Sequence, residues 1–354
     1  MAYADIPLWL SIAFLVGGLI ALTWSSDVFV DGSAALARTL GISPFIIGMV
    51  IIGFGTSAPE LCVSAMSGIS GHANLSLGNA YGSCIFNIAV ILGIAALISP
   101  LVCKPGVTFF AGPCLVAITG FSWWLLRDGE CTRGEALALL GVFAVLLPFY
   151  CWFEQKTKGD VAAASESPGE KGYEGPGEVT SAEKTFGVLV PIAKVVVGLA
   201  VLVGSSHFLV WGAVDFAKFL GVSDLVIGLT IVAAGTSLPE LACAITSAWR
   251  GQHEFVLGNI IGSNIFNTLA VVGIATVISP LTSPTDQAAF SPFILTRDLP
   301  IMALMSLSIM FFGIRWRHPR QPGVINRVEA VLWILSFIGY TIPMFLQETG
   351  KCGG

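Results

Sequence analysis

The sequence predicts an all-α integral membrane protein of about ten transmembrane helices, arranged as two five-helix repeats of inverted topology. Three observations carry this expectation. First, 55% of the 354 residues are apolar and only 11% are charged, and apolar runs long enough to cross a bilayer recur along the chain. Second, the chain repeats itself without a gap. LTWSSDVFVDGSAALARTLGISPFIIGMVIIGFGTSAPEL, ending at Leu61, lies over LVGSSHFLVWGAVDFAKFLGVSDLVIGLTIVAAGTSLPEL, ending at Leu241, an offset of 180 residues. GNAYGSCIFNIAVILGIAALISPL (78–101) lies over GNIIGSNIFNTLAVVGIATVISPL (258–281) at the same offset, so one structural unit has been duplicated. Third, each half holds five apolar segments. Five is odd, so the second copy enters the membrane from the side opposite to the first, and such inverted halves flank a midplane site in transporters.

A spanning helix needs roughly 20 apolar residues. By that measure the segments of the first repeat (1–153) fall at 8–30, 44–67, 78–99, 107–126 and 135–153. Those of the second (187–354) fall at 188–212, 224–248, 258–279, 297–314 and 328–346. The first segment follows Asp5, has no Lys or Arg before it, and is too long for a signal-peptide core, so it is expected to be retained. Between the halves, residues 154–186 are rich in Gly, Pro, Ser and Glu and too poor in apolar residues to fold alone, which predicts a disordered linker.

Basic residues orient the chain. Arg38, Lys104, Lys156, Lys158, Lys171, Lys184, Arg250, Arg315, Arg317, Arg320 and Arg327 fall on the linker side, against Arg127, Arg133, Lys218, Arg297 and Lys351 opposite, with Lys194 inside a span. The bias puts the linker in the cytoplasm and the N-terminus outside, with the plasma (inner) membrane as the expected location. Partners are therefore the lipid bilayer and what crosses it. The net charge of −5 gives no indication of nucleic acid, and oligomeric state is left open. Eight cysteines (62, 84, 103, 114, 131, 151, 243, 352) form no C-x-x-C pair, so neither a disulfide framework nor a zinc site is expected.

Glu60 and Glu240 hold equivalent places, each well inside an apolar segment and each after Gly-Thr-Ser-X-Pro. A carboxylate at membrane depth is expensive and should face a polar cavity. Pro59 and Pro239 lack a backbone donor and clash with the carbonyls of Gly55 and Gly235, so the helix should open at Gly-Thr-Ser. Opened backbone is tolerated at this depth when it lines a cavity. On the following segments Ser83 and Asn87, like Ser263 and Asn267, lie one helical turn apart on one face. Gly78 and Gly82, with Gly258 and Gly262, have the small-x-x-x-small spacing that lets helices approach closely. Every candidate ligand is oxygen: the two carboxylates, the hydroxyls of Thr56, Ser57, Thr236, Ser237, Ser83 and Ser263, two amides and carbonyls. Hard oxygen donors suit calcium, and two negative charges neutralise one divalent ion or two sodium ions.

GTSAPE and GTSLPE, each followed 18 residues later by GN-x-x-GS-x-IFN, resemble the paired alpha repeats of the sodium/calcium exchangers in the cation/calcium antiporter superfamily. The resemblance covers both halves. It implies a ten-helix antiporter, not an enzyme, that uses an inward sodium gradient to expel calcium and needs no cofactor beyond the transported ions. Carried over by position, it implies Glu60 and Glu240 as central calcium ligands, Thr56 and Thr236 as further ligands, and Ser57, Ser237, Ser83 and Ser263 as sodium ligands. Asn87 and Asn267 would complete the cage, with Gly53 and Ala233 counted in the same metal site. Potassium-dependent exchangers carry Asp where this chain has Asn267, which argues against potassium coupling. Animal exchangers insert calcium-sensing domains between the halves, whereas this linker has no D-x-D-x-D-G loop, so the expected type is prokaryotic, without a regulatory domain.

The alternative reading is a proton/calcium antiporter, in which a glutamate itself carries the exchanged proton. A protease dyad and an open channel are more distant rivals: the frames around the glutamates resemble no aspartyl dyad, and inverted halves favour exchange over a channel.

Overall fold

The computed structural model describes residues 7–69, 73–162, 181–220, 233–281, 293–319 and 321–348. Helix α1 (Leu8–Leu40) ends at Gly41, whose positive φ of 65° lets Ile42 N–H turn back to the Ala37 carbonyl. Ser43 caps the next helix by accepting from Ile46 N–H at 3.1 Å, with Pro44 at the first helical position. That helix, α2 (Pro44–Thr56), is bent by 43° relative to α3 (Ala58–Ile69), and the two together make one broken crossing. Then come α4 (73–98), the short strand β1 (Leu101–Cys103) and α5 (Val107–Asp128). A reciprocal cap starts α6 (Arg133–Ala162): Glu135 accepts from Thr132 N–H at 2.8 Å while Glu135 N–H donates to the Thr132 hydroxyl at 3.3 Å.

The second half runs α7 (Ser181–Phe219), a single turn at Ala233–Gly235, α8 (Leu238–Trp249), α9 (253–278), α10 (Ile294–Gly313), β2 (Gly323–Ile325) and α11 (Arg327–Glu348). Strands β1 and β2 pair antiparallel, Leu101 opposite Ile325, and tie one end of α4 to the start of α11. Among the described residues seven helices are long and apolar enough to cross a bilayer, and the bent α2–α3 pair is long and apolar enough to count as an eighth when taken as one span.

The chain is built inside out relative to a water-soluble domain. Trp9, Ile20, Val145, Trp249, Leu304 and Val328 are exposed, as a lipid-facing surface requires. Glu60, Glu240, Asn87, Asn259, Asn264 and Asn267 are fully or almost fully buried. Helix α9 is the most enclosed crossing, 89% of its apolar window lying inside the protein. It packs backbone to backbone against α2: a Cβ on Gly262 would meet the Met49 carbonyl oxygen at 2.3 Å, and one on Gly258 the Phe45 carbonyl oxygen at 2.4 Å. The close approach expected of these two glycines is therefore present. A Cβ on Gly78 or Gly82 would meet nothing of the described residues outside its own helix within 4 Å; the segment equivalent to the start of α2 in the second half, 224–232, lies outside those residues.

Several sequence expectations change. Helix α1 continues ten residues past Val30 to Leu40, because Asp27, Asp31 and Arg38 are held at the rim of the fold without interrupting the helix. Helix α6 runs to Ala162 and α7 begins at Ser181, so both ends of the stretch expected to be a disordered linker are helical, and residues 163–180 fall outside the described part. Among the described residues five stretches adopt the wider π-helical pattern, Asn87–Leu92 and Phe266–Val271 being two of them. Cys62, Cys84, Cys103, Cys114, Cys131 and Cys243 are free, Cys84 and Cys243 being buried.

Candidate functional site

The break between α2 and α3 falls on Ser57 alone (φ −82°, ψ 7°), while in the second half it falls on Thr236 and Ser237, the latter with φ −92° and ψ 9°. The opening is thus narrower than a whole Gly-Thr-Ser. The carbonyls there are not all free either. Gly53 O accepts from Ser57 N–H at 3.2 Å, from the Ser263 hydroxyl at 3.1 Å and from the Thr56 hydroxyl at 3.4 Å. Ala233 opens the short turn before the second break.

Each break presents its serine to the glutamate of the opposite half. Ser57 Oγ donates to Glu240 Oε1 at 2.9 Å, and Ser237 Oγ donates to Glu60 Oε1, also at 2.9 Å. Both glutamates are completely buried, and the remaining oxygen of each, Oε2, has no hydrogen-bond partner among the described residues. Ser83 lies beside them, accepting from Ser237 Oγ at 3.4 Å. Thr56 bonds back to Ile52 O at 2.9 Å and contacts Asn259 Oδ1 at 3.3 Å, whereas for the buried Thr236 hydroxyl no bond of this kind is present among the described residues, which leave out the carbonyl four residues before it.

The amides complete the arrangement. Asn87 is fully buried with Oδ1 unpartnered, and Asn267, equally buried, has neither Oδ1 nor Nδ2 partnered. Ten buried side-chain N or O atoms lack partners among the described residues, and six of them belong to Glu60, Glu240, Asn87, Asn267 and Thr236. Buried polar atoms are normally satisfied, so a concentration of orphans marks a place built for something else. Most of these atoms are oxygens, two of them carboxylate, which is the donor chemistry of a hard cation. No group of three His, Cys, Asp or Glu gathers among the described residues, and the carboxylates found at this junction among them are the two glutamates.

The structure brings together Ser57, Ser237, Glu60, Glu240 and Ser83 by direct bonds, and ties Thr56, Gly53 and Ser263 to the same junction. It also reveals residues that sequence reasoning passed over. Asn79 Nδ2 donates to Glu60 O at 3.3 Å and Asn259 Nδ2 to Glu240 O at 3.2 Å, holding the main chain of both glutamates. Their signal was present in the GN dipeptide that opens both copies of the second motif. Asn264 is the third, and the repeat hides it because its equivalent is Cys84.

The sequence model of the sodium/calcium exchanger protein family matches residues 10–152 and 190–346. The protein named antiporter CaxA of Alkalimonas amylolytica is 38% identical over 94% of this chain and 98% of its own. The sodium/calcium exchanger MaX1 of Methanosarcina acetivorans is 29% identical over 94% of this chain and 97% of its own. Among solved structures, the sodium-calcium exchanger NCX_Mj soaked with Na+ and Sr2+ superposes with a TM-score of 0.74 at 28% identity, covering 93% of this chain and 96% of that one.

Proposed function

The chain belongs to the sodium/calcium exchanger protein family, a family of transporters, and from that membership we propose that it is a secondary active antiporter exchanging sodium for calcium at a midplane site built on Glu60 and Glu240. The observation that carries the proposal is the crossed pair of bonds. Each glutamate is held by a serine of the other half and keeps one oxygen without a partner, so a cation bound between them joins the two halves. With Thr56, Thr236, Ser83, Ser263, Asn87 and Asn267 nearby, the donors are oxygens in flexible number, suited to calcium and to sodium. Their disposition fits ten transmembrane helices in two inverted five-helix repeats, where exchange of conformation between equivalent halves would open the site to each side in turn.

Charge arithmetic makes the loads compete. Two carboxylates balance one calcium or two sodium ions, but both loads together leave two uncompensated positive charges in a low-dielectric cavity. Competition for one site is what couples the fluxes. The basic-residue bias places the central segment in the cytoplasm and the N-terminus outside, in a plasma membrane; a tag at Gly169 should then be cytoplasmic and a tag after Ala4 external.

The deciding experiment is calcium uptake into vesicles loaded with sodium. Uptake should be far faster than into sodium-free vesicles, external sodium should suppress it, and replacing internal potassium with choline should change little. If a proton gradient without sodium drives the same uptake, the glutamates carry protons and the chain is a proton/calcium antiporter.

A further inference from the structure

The repeat makes Asn87 and Asn267 equivalent, and the structure does not treat them equally. Asn87 Nδ2 donates to Asn264 Oδ1 at 3.1 Å, and Asn264 Nδ2 donates to the main-chain carbonyl of Cys84 at 3.2 Å. The end of this chain fixes the rest. A backbone carbonyl can only accept, so the atom of Asn264 facing it is the NH2 group, and the atom facing Asn87 is the carbonyl oxygen. Asn87 must then turn its own NH2 toward Asn264. Its Oδ1 is left without a partner among the described residues, the one oxygen this amide can offer a cation.

On the other side the equivalent of Asn264 is Cys84. Its thiol lies 3.7 Å from both Asn264 O and the Thr268 hydroxyl, a hydroxyl that Ile88 replaces in the first half. Neither atom of the Asn267 amide finds a partner among the described residues. The same contact also marks the helix ladder. Cys84 O, which a straight α-helix would offer to the N–H of Ile88, receives the Asn264 side chain, and the π-helical stretch begins at Asn87. The equivalent stretch Phe266–Val271 is π-helical too, opposite Cys84, so the unwinding is common to both halves and does not depend on the asparagine.

We infer that Asn264 is a positioning residue of the cation site: it fixes the Asn87 amide with its oxygen available to the ion, while Cys84 in the equivalent place leaves the Asn267 amide unfixed. The inference rests on the reading of Glu60 and Glu240 as the cation site. One amide ligand is set before binding and needs no ordering; the other is set on binding. A pre-ordered ligand raises affinity by the ordering cost it avoids, which for one side chain corresponds to about three- to tenfold.

The test is calcium binding to the purified full chain in detergent, read by titration calorimetry and by the rise in Tm with calcium, for wild type, Asn264→Cys, Asn87→Ala, the double variant and Glu60→Gln. Asn264→Cys should weaken calcium binding about fivefold, Asn87→Ala should weaken it at least as much, and the double variant should bind no more weakly than Asn87→Ala alone, because Asn264 acts only through Asn87. A residue that merely supported packing would instead lower the calcium-free Tm and add its full effect in the Asn87→Ala background, and that result overturns the inference. Wild-type binding by Asn264→Cys, with binding lost in Glu60→Gln, overturns it alone. Wild-type binding by Glu60→Gln overturns the site reading and this inference together. Should the cysteine variant fail to fold, Asn264→Ala, which overpacks nothing and has no side-chain hydrogen bond, repeats the same comparison.

Discussion

In the first half Ser57 reaches Glu240 at 2.9 Å and Asn79 holds Glu60 O at 3.3 Å; in the second, Ser237 reaches Glu60 at 2.9 Å and Asn259 holds Glu240 O at 3.2 Å. One layer away the halves diverge, with Asn264 paired to Asn87 and, in its place on the other side, Cys84, which makes no described bond to the Asn267 amide. The bonds that agree are the serine bonds, in which each half holds the other's carboxylate, and the asparagine bonds, in which each half holds the main chain of its own glutamate. A charge shared by both halves needs equal hands. Away from the two glutamates the copies have been free to differ, and the outer ion pairs differ most of all.

The largest expected effect tests the shared part. Glu60→Gln and Glu240→Gln should each abolish calcium uptake into sodium-loaded vesicles while leaving the protein inserted and folded. Removing one carboxylate leaves a divalent ion half neutralised in a buried cavity, a penalty of several kcal/mol. The comparison requires the two losses to be alike. Near-normal uptake by one variant would assign that glutamate to packing and the other to the ion.

A smaller effect sharpens the same comparison. Ser57→Ala removes the hydroxyl from Glu240 and Ser237→Ala removes it from Glu60, in each case a hydrogen bond to a carboxylate contributing about 1.5–3 kcal/mol. Calcium affinity, measured as the half-saturating concentration for uptake, should shift by roughly tenfold or more in both. Ser237 also touches Ser83 at 3.4 Å, so if the two variants separate, Ser237→Ala should be the more severe. The reverse order would mean that the crossed bonds are not the shared element they resemble.

How much of this was legible in the sequence follows the same division. The glutamates, the serines after Gly-Thr and the broken crossing could be read because the repeat states them twice at an offset of 180 and because proline has one effect on a helix. Asn79 and Asn259 were equally repeated, but they bond to main-chain carbonyls, and nothing in residue type distinguishes that from a helix contact. Asn264 was invisible to a search by symmetry because Cys84 stands opposite it. The π-helical stretches at Asn87–Leu92 and Phe266–Val271 left no trace, since one extra residue in a turn changes no apolar pattern. The helical extensions of α6 and α7 to Ala162 and from Ser181 lay in polar sequence, where a helix continuing out of an apolar span is indistinguishable by composition from a linker.

The outermost difference between the halves predicts the smallest effect. Arg250, just past α8, pairs with Asp27 and lies 3.6 Å from Asp31 on α1, while Lys194 of α7 reaches the other Asp31 oxygen at 2.5 Å. The equivalents of Arg250, Asp27, Asp31 and Lys194 are Ser70, His207, Trp211 and Phe14, so no such network can form in the other half. The Arg250 side chain is 29% exposed and that of Asp27 58%, which leaves the pair open to screening. Arg250→Gln should therefore change stability by no more than about 1 kcal/mol, a shift of a few degrees in the Tm of the detergent-solubilised protein that shrinks as salt rises. Calcium uptake separates two meanings of this result. If uptake also stays near wild type, the ion pairs are peripheral and the halves differ there because nothing constrains them. If uptake falls severalfold while Tm holds, then the link from α1 and α7 to the helix bearing Glu240 sets the balance between the two openings, and the asymmetry lies in the transport cycle itself.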